Sequence, residues 1–428
     1  MHMKHHIILS LGMALMFALP LTAQEATADT SADTDSLSLP EGMQQHEIDS
    51  LLYEWNIRNF VAFDDSCETT GENPTFPPEV YISRLQRLPN VMEMPYNETV
   101  QKYIDQYSGR LRRSVSIMLG ASNFYMPLFE EALESYQIPL ELKYLPIIES
   151  ALNPGATSRV GAAGLWQFMI TTGKQYGLEV TSLIDERRDP IKSSYAAARY
   201  MKDLYDIFGD WTLVIACYNC GPGNVNKAIK RAGGSTDSWQ IYPYLPNETR
   251  GYVPAFIAAN YIMNYYCDHN ICPASSMLPA GTDTLTVSRN VYMEQIAAVC
   301  HIDMDELKAL NPQYRTTLIP GDAHACTLRM PAPAINAFIE AGDSIYNYKA
   351  EGIKMGRKVV ETAVNTKGTK GGKSAPASSE KASYVKVRKG ETLGAIARKN
   401  HTTIARLQRL NGMGRRTNIR EGQKLRVK

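Results

Sequence analysis

The chain reads as a mainly α body followed by small α+β modules of βααβ order, and three observations carry that reading. From Asn97 to about Asn270, apolar residues recur at helical spacing and strand-like alternation is nearly absent. Two later segments, 283–331 and 384–428, each run strand, helix, helix, strand, an internal repeat whose first copy is degraded. At 428 residues the chain also exceeds what one core supports, so several units are expected.

Lys4, His5 and His6 precede an apolar run from Ile7 to Leu21, and Thr22-Ala23 supplies small residues near a cleavage point. That pattern predicts a signal peptide over 1–23, too short and too early for a spanning helix. The mature chain is then expected to be exported to the periplasm or cell envelope. It would have no transmembrane segment after signal removal and at most a peripheral association with the envelope. Residues 24–95 read as a disordered acidic spacer and an aromatic N-terminal extension.

Within 96–270, Pro127 and Pro139 stand where first helical turns would begin. Ser193–Phe208 is an amphipathic helix stopped by Gly209. Asp210 can cap the next apolar run, which ends at Gly221-Pro222-Gly223, and Tyr252–Tyr266 is a further apolar helix. Residues 332–383 read as a helix over 333–350 and a Gly/Ser/Lys linker over 366–383. The linker's GGKS lacks the spacing and the strand–helix setting of a phosphate loop.

Charge is uneven: residues 367–428 hold 17 Lys/Arg against 3 Asp/Glu, leaving 28 against 41 before them. A basic tail on an acidic body suits a polyanionic partner. Nucleic acid is an unsuitable one, because 384–428 lacks interleaved aromatics beyond Tyr384 and export removes the ligand. Of the seven cysteines, Cys217/Cys220 and Cys267/Cys272 lack an accompanying His cluster, so packing is expected and no metal or cofactor. A Cys300–Cys326 bridge is conceivable.

Glu149 sits oddly in PIIESALNPG, after Leu145, Pro146, Ile147 and Ile148. An ionised carboxylate in apolar surroundings is costly and responds by holding its proton. Downstream come Ser158, then GAAGLWQFM from Gly161 to Met169, then Tyr218-Asn219 at a helix end. Trp166 to Met169 offer apolar faces and one amide, a mixture suited to sugar, although Trp166 and Phe168 taken alone are better core residues. The order and spacing of the set carry more weight than any member.

ES at 149–150, Ser158, GLWQFM at 164–169, YN at 218–219, ERRDP at 186–190 and Tyr252 of ETRGYVP resemble family 1 lytic transglycosylases. That resemblance implies a lysozyme-like (goose-type) catalytic domain over 96–270 acting on peptidoglycan glycan strands. Glu149 would be the catalytic acid and then base. Ser158 would bond near Glu149 or the substrate, Gln167 and Met169 would contact glycan, and Tyr218 would sit beside the Glu149 carboxyl. Asn219 would support substrate or backbone, and Tyr252 would line the cleft. VRKGETLGAIA and IREGQKL resemble a LysM module over 384–428, implying glycan contacts at Gly390, Thr392, Leu393, Asn411 and Gly412. Residues 283–331 resemble a degenerate LysM. Two other readings use the same residues: a hydrolytic lysozyme with Glu248 or Asp185 as base, and a non-catalytic peptidoglycan-binding protein.

Overall fold

The computed structural model describes residues 61–62, 72–348 except 277 and 280, and 384–427 except 388–390, 401, 403, 412, 414–418 and 421. The expected signal peptide, the 24–45 spacer and the 366–383 linker lie outside the described residues. The chain divides into two compact units, 1–364 and 365–428, each described by itself.

The helical body is built from α1 (Pro78–Arg87), α2 (Glu98–Ser108), α3 (Arg112–Ser135), α4 (Leu145–Ser150), α5 (Ile170–Gln175), α6 (Pro190–Phe208), α7 (Trp211–Cys220), α8 (Pro222–Arg231) and α9 (Tyr252–Tyr265). Local chemistry sets several ends. Asn97 accepts from Val100 N, Asp189 accepts from Ile191 N and Lys192 N, and Asp210 accepts from Leu213 N, so three helices start on side-chain caps. Gly209, at φ 65°, ends α6 in the left-handed conformation that glycine adopts without strain.

α9 is apolar almost all round, and its Phe256 and Tyr261 meet Tyr103, Phe129 and Trp166 in one fully buried cluster. Each such aromatic removes about 150–250 Å² from water, a gain of about 4–6 kcal/mol before entropy. Pro127 does not start a helix; it lies inside α3. The lost backbone bond costs about 3 kcal/mol in an exposed helix, and here burial of Tyr125, Met126 and Phe129 beside it holds the helix through. Pro139 instead precedes a 3-10 turn, Leu140–Tyr144, that leads into α4.

The module after the body pairs β1 (Thr282–Val287) with β4 (Cys326–Pro331), and β2 (Asn290–Tyr292) with β3 (Leu318–Pro320), all antiparallel. Helices α10 (Met293–Cys300) and α11 (Met304–Leu310) lie between the strands in sequence. The helix expected over 333–350 is split by Gly342, at φ 50°, into α12 (Ala332–Ala341) and α13 (Asp343–Asn347). In the C-terminal unit, β5 (Tyr384–Lys386) pairs with β6 (Lys424–Arg426), flanking α14 (Leu393–Lys399) and α15 (Ile404–Leu410).

One asparagine exposes the repeat at atomic scale. Asn411 donates to the Leu407 and Arg426 carbonyls and accepts from Arg426 N at 2.7 Å. Asn311 donates to the Leu307 and Arg329 carbonyls and accepts from Arg329 N at 2.8 Å. Each amide spends its polar atoms locking the second helix to the closing strand. Cys300 and Cys326 are both free thiols, so the conceivable bridge between them is not formed; Cys326 Sγ lies instead against the His324 carbonyl at 3.4 Å. Cys272 is disulfide-bonded. Among the described residues no helix is long and apolar enough to cross a membrane.

The extension before α2 is tied down by Arg84, which donates to Tyr261 Oη at 2.8 Å and to Asp268 at 2.6 Å. Beside it His269 is fully buried, with ring nitrogens 3.1 Å from Tyr261 Oη and 3.2 Å from Asn73 Oδ1. Burial first, and then the Arg84 and Arg112 guanidiniums, push its pKa down from 6.5 to about 4, against an opposing pull from Asp268. The unfolded histidine takes up a proton below about 6.5, while the folded one does so only near 4. This contribution to stability is therefore present above pH 6.5 and lost as pH falls towards 4. Melting curves from pH 7 to 4.5 should fall more steeply for the wild type than for His269→Gln; equal slopes would contradict the burial.

Candidate active site

Glu149 is the penultimate residue of α4, and Leu145, Pro146, Ile147 and Ile148 before it are buried while Glu149 is half-buried. The helix stops at two successive non-glycine residues in the left-handed region, Ala151 (φ 50°) and Leu152 (φ 59°). Each costs on the order of 1 kcal/mol, and both are fully buried, so packing imposes the turn. Ser150, also fully buried, donates to the Leu165 carbonyl at 2.9 Å and so ties the end of α4 to the segment carrying Gln167.

The first residue of α9, Tyr252, donates its phenol to Glu149 Oε1. Burial, then the Glu149 carboxylate, push the Tyr252 pKa well above its ordinary value, which keeps it a donor. Burial and the Glu149 charge likewise raise Tyr218, on the last turns of α7, and its hydroxyl donates to the Trp166 carbonyl at 2.8 Å. Glu149 is thus bonded by a phenol from α9, and its charge reaches a second phenol on α7. The sequence resemblance puts Tyr218 beside the carboxyl and Tyr252 in the cleft lining; Tyr252 in addition bonds the carboxyl directly.

The segment opposite is a tight loop. Ala163 pairs with Phe168, and Gln167 (φ 47°) donates Nε2 to the Gly164 carbonyl at 2.7 Å. Met169 follows, 42% exposed. Gly164 has φ 87°, and a Cβ there would stand 1.7 Å from the Arg187 carbonyl oxygen, so only glycine fits. Trp166 and Phe168 are core residues with exposures of 0% and 3%, not a sugar platform; the Trp166 indole donates to Ser194 Oγ at 2.8 Å.

Ser158 shapes the turn before this loop, its hydroxyl accepting from Ala162 N at 3.1 Å. Asn219 is exposed and its side-chain oxygen accepts from Thr249 Oγ1 at 2.8 Å. Glu248, a candidate base for hydrolysis, is exposed on the one-turn helix Asn247–Arg250. The other candidate, Asp185, is 1% exposed and holds Arg187 through two bonds of 2.8 and 2.9 Å and Arg315 through one of 2.7 Å. It is consumed in ion pairs.

The clamp on the loop is the feature the sequence left without a role. Arg187 Nη1 donates to the carbonyls of Gly161 and Phe168 at 2.8 Å each. Arg188 donates to the Gly155 carbonyl at 3.0 Å and to Thr157 Oγ1 at 2.7 Å. A groove of about 530 Å³, lined by Met92, Trp211, Trp239 and Phe256 among others, includes none of Glu149, Gln167, Tyr218 and Tyr252. The candidate site is therefore drawn from the side-chain constellation and not from cavity size.

In the C-terminal unit Thr392 is exposed and its hydroxyl accepts from Ala395 N at 3.2 Å, capping α14. Leu393 is core at 2% exposure and Asn411 is the lock described above. Gly390 and Gly412 lie outside the described residues.

Residues 127–241 match the transglycosylase SLT domain, 281–347 match the LysM-like domain of lytic transglycosylase MltD, and 385–428 match the LysM domain. The membrane-bound lytic murein transglycosylase D of Escherichia coli (strain K12) is 30% identical over 381 residues, 78% of this chain and 82% of that one. The chain belongs to the lytic murein transglycosylase family. The soluble lytic murein transglycosylase of the same organism is 31% identical over 151 residues, 33% of this chain and 23% of that one. The solved 70-kDa soluble lytic transglycosylase of Escherichia coli is 29% identical, with a TM-score of 0.30, over 35% of this chain and 26% of that one.

In this lytic murein transglycosylase the loop has no slack at Gly164. Gly164→Ala should destabilise the unit on the order of 2–4 kcal/mol, read as a lower urea midpoint. An unchanged midpoint would contradict the close approach to Arg187.

Proposed function

We propose that this peptidoglycan lytic transglycosylase cuts glycan with Glu149 as its one catalytic carboxyl, first as acid and then as base. The observation that carries this reading is the Tyr252 phenol donating to a half-buried Glu149 at the end of an otherwise buried helix. Glu149 in its acid form gives a proton to the β-1,4 glycosidic oxygen between N-acetylmuramic acid and N-acetylglucosamine. Positive charge develops at the muramic carbon as the bond breaks. The Glu149 anion, to which the Tyr252 phenol donates, then takes the proton of the same sugar's carbon-6 hydroxyl, and a 1,6-anhydro ring closes. The attacking oxygen is already attached to the reacting sugar, so its effective concentration is high and no second carboxylate is needed.

Supporting roles follow from exposure and bonding. Gln167 and Met169 stand at the loop surface, with Asn219 exposed beside Thr249, and these three would contact the glycan. Tyr218 and Ser158 would act by holding backbone that faces the substrate. The C-terminal LysM module would bind wall glycan through Gly390, Thr392, Leu393, Asn411 and Gly412, with Leu393 and Asn411 acting from the core and the strand lock. Its surplus of Lys/Arg would add salt-dependent attraction to an anionic wall. The N-terminal pattern supports export to the periplasm or envelope.

Glu149→Gln removes the proton and keeps the shape. Its rate of sacculus solubilisation should fall by at least about 100-fold, with binding to sacculi retained. Mass spectrometry of wild-type digests should give anhydro-muropeptides. A variant of near wild-type rate, or products with reducing ends, would overturn the assignment.

A further inference from the structure

The module at 281–347 is joined to the active-site loop through a continuous set of short bonds. Residues 183–185 run alongside 313–315. Asp185 N donates to the Gln313 carbonyl and Arg315 N to the Leu183 carbonyl, each at 2.8 Å, and Ile184 pairs with Tyr314. Leu183 and Ile184, both 2% exposed, belong to the module's own apolar cluster with Val287, Ile319 and Leu328. At the side-chain level Arg315 Nη2 donates to Asp185 Oδ2 at 2.7 Å, and His324 meets Glu179 at 2.8 Å.

Asp185 passes this contact on. Its two oxygens fork onto Arg187, and the Arg187 guanidinium holds the Gly161 and Phe168 carbonyls that bracket Gln167. Arg315, the one member of this chain drawn from the module, is partly exposed, while Asp185 and Arg187 are buried. Asp185 Oδ2 is held by Arg187 and Arg315, with Arg188 Nε 3.9 Å away. Without Arg315 it loses its shortest bond, and the carboxylate and its fork on Arg187 gain freedom.

We propose that the 281–347 module is a fixed part of the catalytic unit, with Arg315 a positioning residue for the Gln167–Met169 loop, acting through Asp185 and Arg187. A module that served only as a tether would change how the enzyme holds sacculi. A module that sets loop geometry changes turnover. The inference rests on the reading of Glu149 and that loop as the cleft.

The test compares full-length wild type, Arg315→Ala and Arg315→Lys, with Glu149→Gln as the inactive control. Turnover and KM are measured on isolated glycan strands, alongside sacculus pull-down and thermal melting. Arg315→Ala should lower kcat/KM on isolated strands on the order of tenfold, since small misplacements near the chemistry are costly, with sacculus pull-down within about twofold. Arg315→Lys keeps the charge but not the aimed Nη2 donor, and should recover part of the loss. It also decides the matter if Arg315→Ala does not fold. An unchanged kcat/KM in the folded variants, or a loss confined to sacculus pull-down, overturns the proposal. An active Glu149→Gln would instead sink the cleft reading itself.

Discussion

The Asp185–Arg187 pair is the contact on which the site depends. Asp185 is buried to 1% exposure, a costly place for a carboxylate unless every oxygen is met. Arg187 meets it with a two-point fork and spends a remaining nitrogen on two loop carbonyls. One ion pair thereby fixes the backbone from Gly161 to Phe168, which Gly164 lets approach closely, and on which Gln167 and Met169 are displayed. Ser150 and Tyr218 pin the same loop from the other side, through the carbonyls of Leu165 and Trp166.

The same pair has a chemical consequence. Asp185 is the carboxylate that a hydrolytic reading would recruit as base, and its oxygens are already committed to Arg187 and Arg315. Under the proposed reading Glu149, bonded to the Tyr252 phenol, is the carboxyl that exchanges protons with the sugar. A single carboxyl can serve both halves of a cleavage when the nucleophile belongs to the substrate. The geometry that rigidifies the loop therefore also withdraws Asp185 from service as a hydrolytic base.

What the sequence made legible was what local chemistry decides. Asp210 and Gly209 announced a helix start and a helix stop because a cap and a left-handed residue need only near neighbours. The order of Glu149, GLWQFM and Tyr218-Asn219 pointed to residues that the fold brings together, through the Ser150 and Tyr218 bonds to Leu165 and Trp166. Pro127 misled because the local rule for proline gave way to burial on both sides of it. Arg187 was visible as part of ERRDP but had no readable role, since its partners lie up to 26 residues away and Arg315 reaches Asp185 across 130. Asn411 looked like a loop residue open to glycan; only the coordinates reveal that it repeats, bond for bond, the lock made by Asn311.

The most direct test of a lone carboxyl with an internal nucleophile is digestion of sacculi in water enriched in oxygen-18. Ring closure by the carbon-6 hydroxyl brings no solvent oxygen to the new muramic end, so the account expects unlabelled termini in the mass spectrum. One oxygen-18 atom per cleaved bond would mean that water is the nucleophile, and would contradict it.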